Sequence, residues 1–350
     1  MRVNHTVYIA YITATFLFLG CGELLVNEPD STENATDFQF AWEIANTYYP
    51  FFEFKGIDWD SLYMVYSPQV LEAKGDEIYF ILYDLFKELK DGHIEIYTRG
   101  GFPTPTYLWE RNRDRKAFSP EVVRSYFDKP LKVMGDDKIA YELIDSLIGY
   151  VHVSTFAEGN WIHDIDRVLN YFKKTKGLVI DIRNNSGGSS ITYDSMLSRF
   201  IHEPIEETVF FKNGDQKSWW IYPGGVQYRG NVVILINGAS FSAAEIFTEL
   251  MRQLPNVIVV GDTSGGGGGA SEIFHLPSGK RLKLPVKYFK RLDGKMIEWN
   301  GIIPDIVVEQ TETEIKLGQD KQLEHSIQLL RNLNRKSTKP KMERMEKSGA

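Results

Sequence analysis

Ser242 sits where a nucleophile could be made. It lies in Asn237-Gly-Ala-Ser-Phe-Ser-Ala-Ala-Glu245, between an apolar run over residues 232–236 and a helical pattern over 242–254. A buried strand feeding a helix puts such a serine at the helix N-terminus. There the macrodipole and the free N–H groups favour developing negative charge. Ser242-x-x-Glu245 is equally a capping box, in which the serine needs no chemical role. Gly238-Ala-Ser240-Phe-Ser242 ends in serine where G-x-S-x-G needs glycine, which argues against an α/β-hydrolase elbow.

Two glycine-bearing segments also stand at predicted strand ends. Asp181-Ile-Arg-Asn-Asn-Ser-Gly-Gly188 could turn backbone N–H groups toward an anion or an oxyanion. The simpler reading is a tight turn that needs glycine for positive φ. Gly261-Asp-Thr-Ser-Gly-Gly-Gly-Gly-Gly-Ala270 holds five successive glycines. They are read as room for a substrate backbone or a mobile flap rather than as packing. A phosphate loop is the rival, but no Gly-Lys-Ser/Thr follows.

A serine at its ordinary pKa is a weak nucleophile and needs a base, for which imidazole is suited at neutral pH. The chain has seven histidines. His152 lies in a predicted buried strand and reads as a core residue, His275 lies near the glycine run, and His93 sits in Asp-Gly-His. Residue types alone do not choose among them. Neither H-E-x-x-H nor paired-cysteine spacing is present, so no metal is implied, and no nucleotide or other cofactor is implied either.

The elements that must carry these residues follow from periodicity. Residues 37–90 read as helical, with Ile78, Ile81, Leu82, Leu85, Phe86 and Leu89 on one face and Gly92 at the stop. A strand begins at His93, and a short helix is expected from Ser119. From residue 147 apolar strands (148–153, 178–182, 232–236, 257–260) alternate with helices (160–173, 191–201, 242–254). Such βαβ alternation predicts a largely parallel sheet covered by helices, with sites at the carboxyl ends of its strands. Further strands are expected at 281–286 and 302–308, and a last helix at 322–333.

The charge of -7 and the lack of a basic patch argue against nucleic acid as a partner. The apolar run at residues 7–19 is too short to span a bilayer comfortably and reads as a signal peptide. It ends in Leu17-Phe-Leu-Gly-Cys21, which resembles the bacterial lipobox, with Phe18 where that pattern has leucine. Lipid attachment at Cys21 and a cell-envelope location, facing periplasm or exterior, are therefore expected. The expected organisation is signal peptide 1–21, tether 22–37, N-terminal helical domain 38–97, connecting segment 98–140, catalytic α/β domain 141–335 and disordered tail 336–350.

Taken together, RNNSGG, NGASFSAAE and VVGDTSGGG, each with a strand, followed in order by Glu298-Trp-Asn-Gly-Ile-Ile-Pro-Asp305, resemble the family of carboxy-terminal processing proteases, the tricorn core and interphotoreceptor retinoid-binding protein repeats. Leu89-Lys-Asp-Gly-His93 and Gly318-Gln-Asp-Lys-Gln-Leu-Glu324 extend the resemblance over about residues 38–333. It implies an α/β fold with a crotonase/ClpP-like βα core and a small N-terminal helical domain. It also implies a serine peptidase acting on peptides or proteins through an acyl-enzyme. Carried over by position, Ser242 is the nucleophile, with Ser240 a second choice. Ala243 and Gly187 or Gly188 supply the oxyanion N–H groups. The processing proteases take their base from a lysine in a G-K-G context. Here that position is Gly267, so the tricorn-like pattern applies, with His93 as base and Glu298 as supporting carboxylate. The retinoid-binding relatives leave open a binding protein without turnover. Residues 98–144 are too few for a PDZ domain, which removes the usual means of reading a substrate's C-terminus. Trp219, Trp220 and Tyr222 are expected as a packed aromatic cluster rather than a cleft lining.

Overall fold

The computed structural model describes residues 31–98, 101, 103–107 and 115–347. Cys21 and its lipobox lie outside them. Among the described residues no helix is long and apolar enough to cross a membrane. The chain opens with α1 (Ser31–Tyr48), α2 (Phe52–Lys55), α3 (Trp59–Glu72) and α4 (Glu77–Lys87). Next come β1 (Glu95–Tyr97), β2 (Pro103–Pro105), α5 (Pro120–Arg124), β3 (Lys132–Met134), β4 (Ile139–Leu143), β5 (Ile148–Val153) and α6 (Ile165–Tyr171). The middle of the chain forms β6 (Gly177–Asp181), α7 (Ser190–Leu197), β7 (Ile205–Phe211), β8 (Gln216–Ile221), β9 (Asn231–Ile236) and α8 (Ala243–Met251). The remainder is β10 (Val257–Gly261), β11 (Gly269–His275), β12 (Arg281–Tyr288), β13 (Ile306–Val307), α9 (Glu312–Lys316) and α10 (Lys321–Lys347).

Seven strands form one sheet in the order β13-β10-β9-β6-β5-β4-β3. Its five strands from β13 to β5 are mutually parallel, as the alternating pattern requires, and β4 and β3 add an antiparallel edge. One face packs Val168, Met196, Phe247 and their neighbours from α6, α7 and α8, and the other packs Leu323, Ile327 and Leu330 of α10. A second, antiparallel sheet runs β2-β1-β12-β7-β8, with β11 also on β12. The N-terminal region buries Phe38, Tyr49, Phe51, Leu85 and Phe86 against Leu282, Leu284 and Tyr288 of this sheet. Pairing of β1 with β12, Glu95 opposite Lys283, thus ties the N-terminal region to the second half of the chain.

Several expectations need correction. The tether ends sooner than expected, because α1 starts at Ser31 and buries Asn34 and Asp37 completely. Asn34 donates to the Ala73 carbonyl, and Asp37 accepts from the Ser278 N–H, so these polar groups fold inward rather than into solvent. The connecting segment supplies β2, β3 and α5, where Ser119 is the N-cap. The strand expected over 302–308 shrinks to Ile306–Val307, and the last helix runs past its expected end at 333 to Lys347, into the stretch expected to be a disordered tail and despite Pro340. The β7–β8 hairpin had no counterpart in the sequence reading.

Arg183 fastens the closing helix to the sheet. It is fully buried and donates two hydrogen bonds to Asp181 (2.9 and 2.6 Å), two to Asp320 (both 2.8 Å) and one to Gln322. Replacing it by methionine strands two buried carboxylates. The Arg183→Met chain is expected to lose about 3–5 kcal/mol of unfolding free energy, measured by denaturant titration.

Candidate active site

Ser242 is the N-cap of α8, at φ 57° and ψ −123°. A β-carbon at positive φ costs about 1–3 kcal/mol, and such strain persists only where the surroundings over-determine it. Here they do. The Ser242 N–H donates to Glu245 Oε2 at 2.8 Å, and the preceding Phe241 N–H donates to the Asn185 carbonyl at 2.9 Å. The chain therefore turns sharply at the serine although it lacks the G-x-S-x-G pattern. Glu245 does more than cap. Fully buried, it also accepts from Ser264 Oγ (2.5 Å), Gly266 N–H (2.6 Å) and Gly267 N–H (2.7 Å). Burial raises its pKa, and these donors oppose that rise.

The Ser242 hydroxyl faces the imidazole expected from the other end of the chain. His93 Nε2 lies 2.9 Å from Ser242 Oγ. The ring is 8% exposed and stacks on Phe241, with centroids 4.7 Å apart. Burial lowers its pKa to about 4, although Asp91 opposes the shift, so the ring is a neutral base at pH 7. His152 is half-buried in β5 and has its ring against Phe118, while His275 ends β11. Ser240 is fully buried, with its hydroxyl donating to the Ile182 carbonyl at 2.8 Å, so it braces the turn.

Glu298 is brought close but does not bond His93. Asp91, His93 and Glu298 offer ligand-type atoms within 4.8 Å of one another. Lys55 stands between the carboxylates, 3.2 Å from Asp91 Oδ2 and 2.7 Å from Glu298 Oε1. Such a donor set would suit a cation, and the Lys55 ammonium already supplies one. Asp91 Oδ1 accepts from the His93 backbone N–H at 2.9 Å and lies 3.8 Å from His93 Nδ1. Burial alone would raise the pKa of Asp91, but Lys55 and His93 outweigh it and hold the group low. Burial and Asp91 push Glu298 up to about 8 against the pull of Lys55.

Sequence reasoning quoted Asp91 inside Asp-Gly-His without giving it a role, and it missed Lys55 and Tyr49. Only Asp91 carried a local signal, its spacing of two from the histidine.

Donors for an oxyanion lie beside the serine. Ala243 opens α8, so its N–H lacks an intrahelical acceptor. Gly188 likewise has an N–H with no acceptor among the described residues. Gly187 does not qualify, because its N–H donates to Asn185 Oδ1 at 2.9 Å. Its role is steric: a β-carbon there would stand 2.7 Å from Ser242 Cβ.

The five-glycine run is close-packed, contrary to expectation. A β-carbon on Gly267 would lie 2.2 Å from the Phe241 ring, and one on Gly268 would lie 2.5 Å from the Glu298 nitrogen. The glycines let the loop press between the serine turn and the Glu298 segment.

A cavity of about 740 Å³ opens over Ser242, His93, Gly188 and Ala243. Trp219 borders it with Val209 and Ile246, whereas Trp220 and Tyr222 are exposed, so the expected aromatic cluster does not form.

Residues 147–308 match peptidase family S41, and residues 30–82 match the tricorn protease C1 domain. The chain is 30% identical to a crystal structure from Parabacteroides merdae described as a candidate peptidase. That alignment covers 85% of this chain and 96% of the other, at a TM-score of 0.74. It is 29% identical to the carboxy-terminal processing protease CtpB of Bacillus subtilis over 47% of this chain and 35% of that one. It is 30% identical to the carboxy-terminal-processing protease of Bartonella bacilliformis over 55% and 47%. The chain thus spans half or less of the length of these two curated relatives. It belongs to peptidase family S41.

Proposed function

We propose that this chain is an exported, lipid-anchored serine peptidase that cleaves peptide bonds through an acyl-enzyme on Ser242. The observation that carries the reading is the 2.9 Å approach of His93 Nε2 to Ser242 Oγ at the mouth of a helix N-terminus. Ser242 Oγ attacks the scissile carbonyl carbon while its proton passes to His93 Nε2. The N–H groups of Ala243 and Gly188 receive the oxyanion. As the C–N bond breaks, Nε2 returns the proton to the departing amine. Water then attacks the ester with His93 again as base, releasing the acid and restoring the serine. Asp91 steadies the imidazolium, and Glu298 supports the site at one remove.

The test is fluorophosphonate labelling of the purified chain. Labelling that survives Ser242→Ala defeats the assignment. Ligand binding without labelling or peptide cleavage would favour the binding-protein alternative.

The pH dependence has a definite sign. A base must be unprotonated to act, and the groups acting on His93 are Asp91, Lys283, Lys55 and Glu95. Because burial depresses its pKa, labelling should stay near its plateau through pH 6.5 and fall only as pH drops toward about 4. A midpoint at the ordinary histidine value would mean a solvated ring and an open site. The anchor is tested separately by radiolabelled palmitate incorporation, which Cys21→Ala should abolish.

A further inference from the structure

We infer that Lys55 is a positioning residue, the buried cation that holds Asp91 and Glu298 as an ordered pair behind His93. The inference rests on the peptidase reading above. Lys55 ends the single-turn helix α2, and Gly56 follows at φ 65°, turning the chain away just after the lysine. Its side chain has no exposed surface. Its polar contacts are to Asp91 Oδ2, Glu298 Oε1, the Tyr49 hydroxyl at 2.9 Å, the Leu89 carbonyl at 3.1 Å and the Lys90 carbonyl at 3.4 Å. The rings of Tyr49, Phe51 and Trp299 surround the ammonium at 5.1–5.6 Å from their centroids.

A buried lysine is costly, and one retained purely for packing would not need two carboxylates and three rings to satisfy it. These partners come from separate parts of the chain. Tyr49 precedes α2, Asp91 and the Leu89 carbonyl precede the histidine, and Glu298 comes from the segment zipped to the glycine run. Lys55 therefore joins the N-terminal region to the Glu298 loop at the point where the imidazole must be held. Without the ammonium, two carboxylates within reach of each other would repel. Either Glu298 would swing away or both groups would compete for protons, and Asp91 Oδ2 would keep the Tyr49 hydroxyl, at 2.8 Å, but lose its cation. The carboxylate behind the imidazole would then be held by the His93 N–H and the Tyr49 hydroxyl alone, and less firmly.

The test uses the rate of Ser242 labelling by a fluorescent fluorophosphonate across pH 4–9 in the full chain. Lys55→Met removes a cation near the ring and leaves negative charge uncompensated, and both changes favour imidazolium. Its acid limb should therefore move to higher pH by about one unit or more, with a plateau lowered about 30–100-fold. Lys55→Arg, which keeps the charge, should keep the native limb. Glu298 is already neutral at the pH of the limb, so the uncompensated charge in Lys55→Met is that of Asp91; adding Asp91→Asn restores the charge balance and should return the limb toward its native position.

A role in packing alone predicts a lower plateau with an unmoved limb in both single variants, and no rescue. That result overturns the inference. If Lys55→Met does not fold, the double variant carries the test, because it holds no second unpaired carboxylate. Failure of the double variant to label at all, or labelling with a limb as displaced as an unbalanced site requires, then counts against the inference. Loss of Ser242-dependent labelling in the native chain would instead sink the peptidase reading itself.

Discussion

The Ser242→Ala chain should cleave peptide about 10⁴–10⁶-fold more slowly than the native chain, and adding His93→Ala should cost little more. The two groups act as one unit. At 2.9 Å the imidazole has only one proton to accept, and the hydroxyl has only one base to give it to. Removing either partner removes the same step, so the losses do not add. Folding should survive the serine change. The alanine hydroxyl loss leaves the Ser242 N–H bond to Glu245 in place, and the residue keeps its β-carbon in the same strained turn. Thermal unfolding of Ser242→Ala within a few degrees of the native value, together with the loss of cleavage, would show that chemistry rather than stability was lost. Activity at a tenth of the native level in either single variant would mean that another nucleophile or base serves the site. Ser240 is a poor substitute, because its hydroxyl is bonded to the Ile182 carbonyl behind the turn.

Periodicity and strand-end motifs made the parallel sheet, the serine turn and the histidine legible because each is written in neighbouring residues. Strands β5, β6, β9 and β10 are apolar runs buried on both faces, and α8 announces itself by Ser242 and Glu245. The antiparallel sheet was harder. Its strands β7 and β8 carry Glu206, Lys217 and Trp220 on solvent-facing positions, so they lack the long apolar run that marked the others. Lys55 left no trace at all, since Phe-Glu-Phe-Lys-Gly reads as an amphipathic helix end. Its meaning depends on Asp91 and Glu298, which lie 36 and 243 positions further along the chain and meet it only after the N-terminal helices dock. The five glycines were misread for a related reason. Their lack of side chains signals close approach, but the sequence does not say that Phe241 and the Glu298 segment, rather than a substrate, do the approaching.

The turn below the serine should separate catalysis from stability when its two glycines are changed one at a time. Both have positive φ, 94° at Gly187 and 152° at Gly188, so alanine is strained at either position. The neighbours differ. A β-carbon on Gly188 would lie 2.0 Å from the Phe156 carbonyl carbon and 2.1 Å from its oxygen. These are backbone atoms, and the Phe156 N–H and carbonyl are themselves bonded to the Gly187 carbonyl and the Ser189 N–H. No rotamer relieves that clash, so the strands must part, and Gly188→Ala should lose about 3 kcal/mol or more of unfolding free energy. On Gly187 the added carbon meets Ser242 Cβ and the Phe241 oxygen, both at 2.7 Å, and the Ala243 nitrogen at 2.9 Å. It would push the nucleophile away from His93 and crowd the Ala243 donor, so kcat should fall about 10²–10³-fold, the scale of losing one oxyanion donor. Gly214 is the control, with φ 87° and nothing within 4 Å of its added carbon, so Gly214→Ala shows the cost of φ alone, about 1–2 kcal/mol with unchanged kcat. If Gly187→Ala behaves like Gly214→Ala in the cleavage assay, the turn does not position the serine, and the Gly188 N–H loses its claim on the oxyanion.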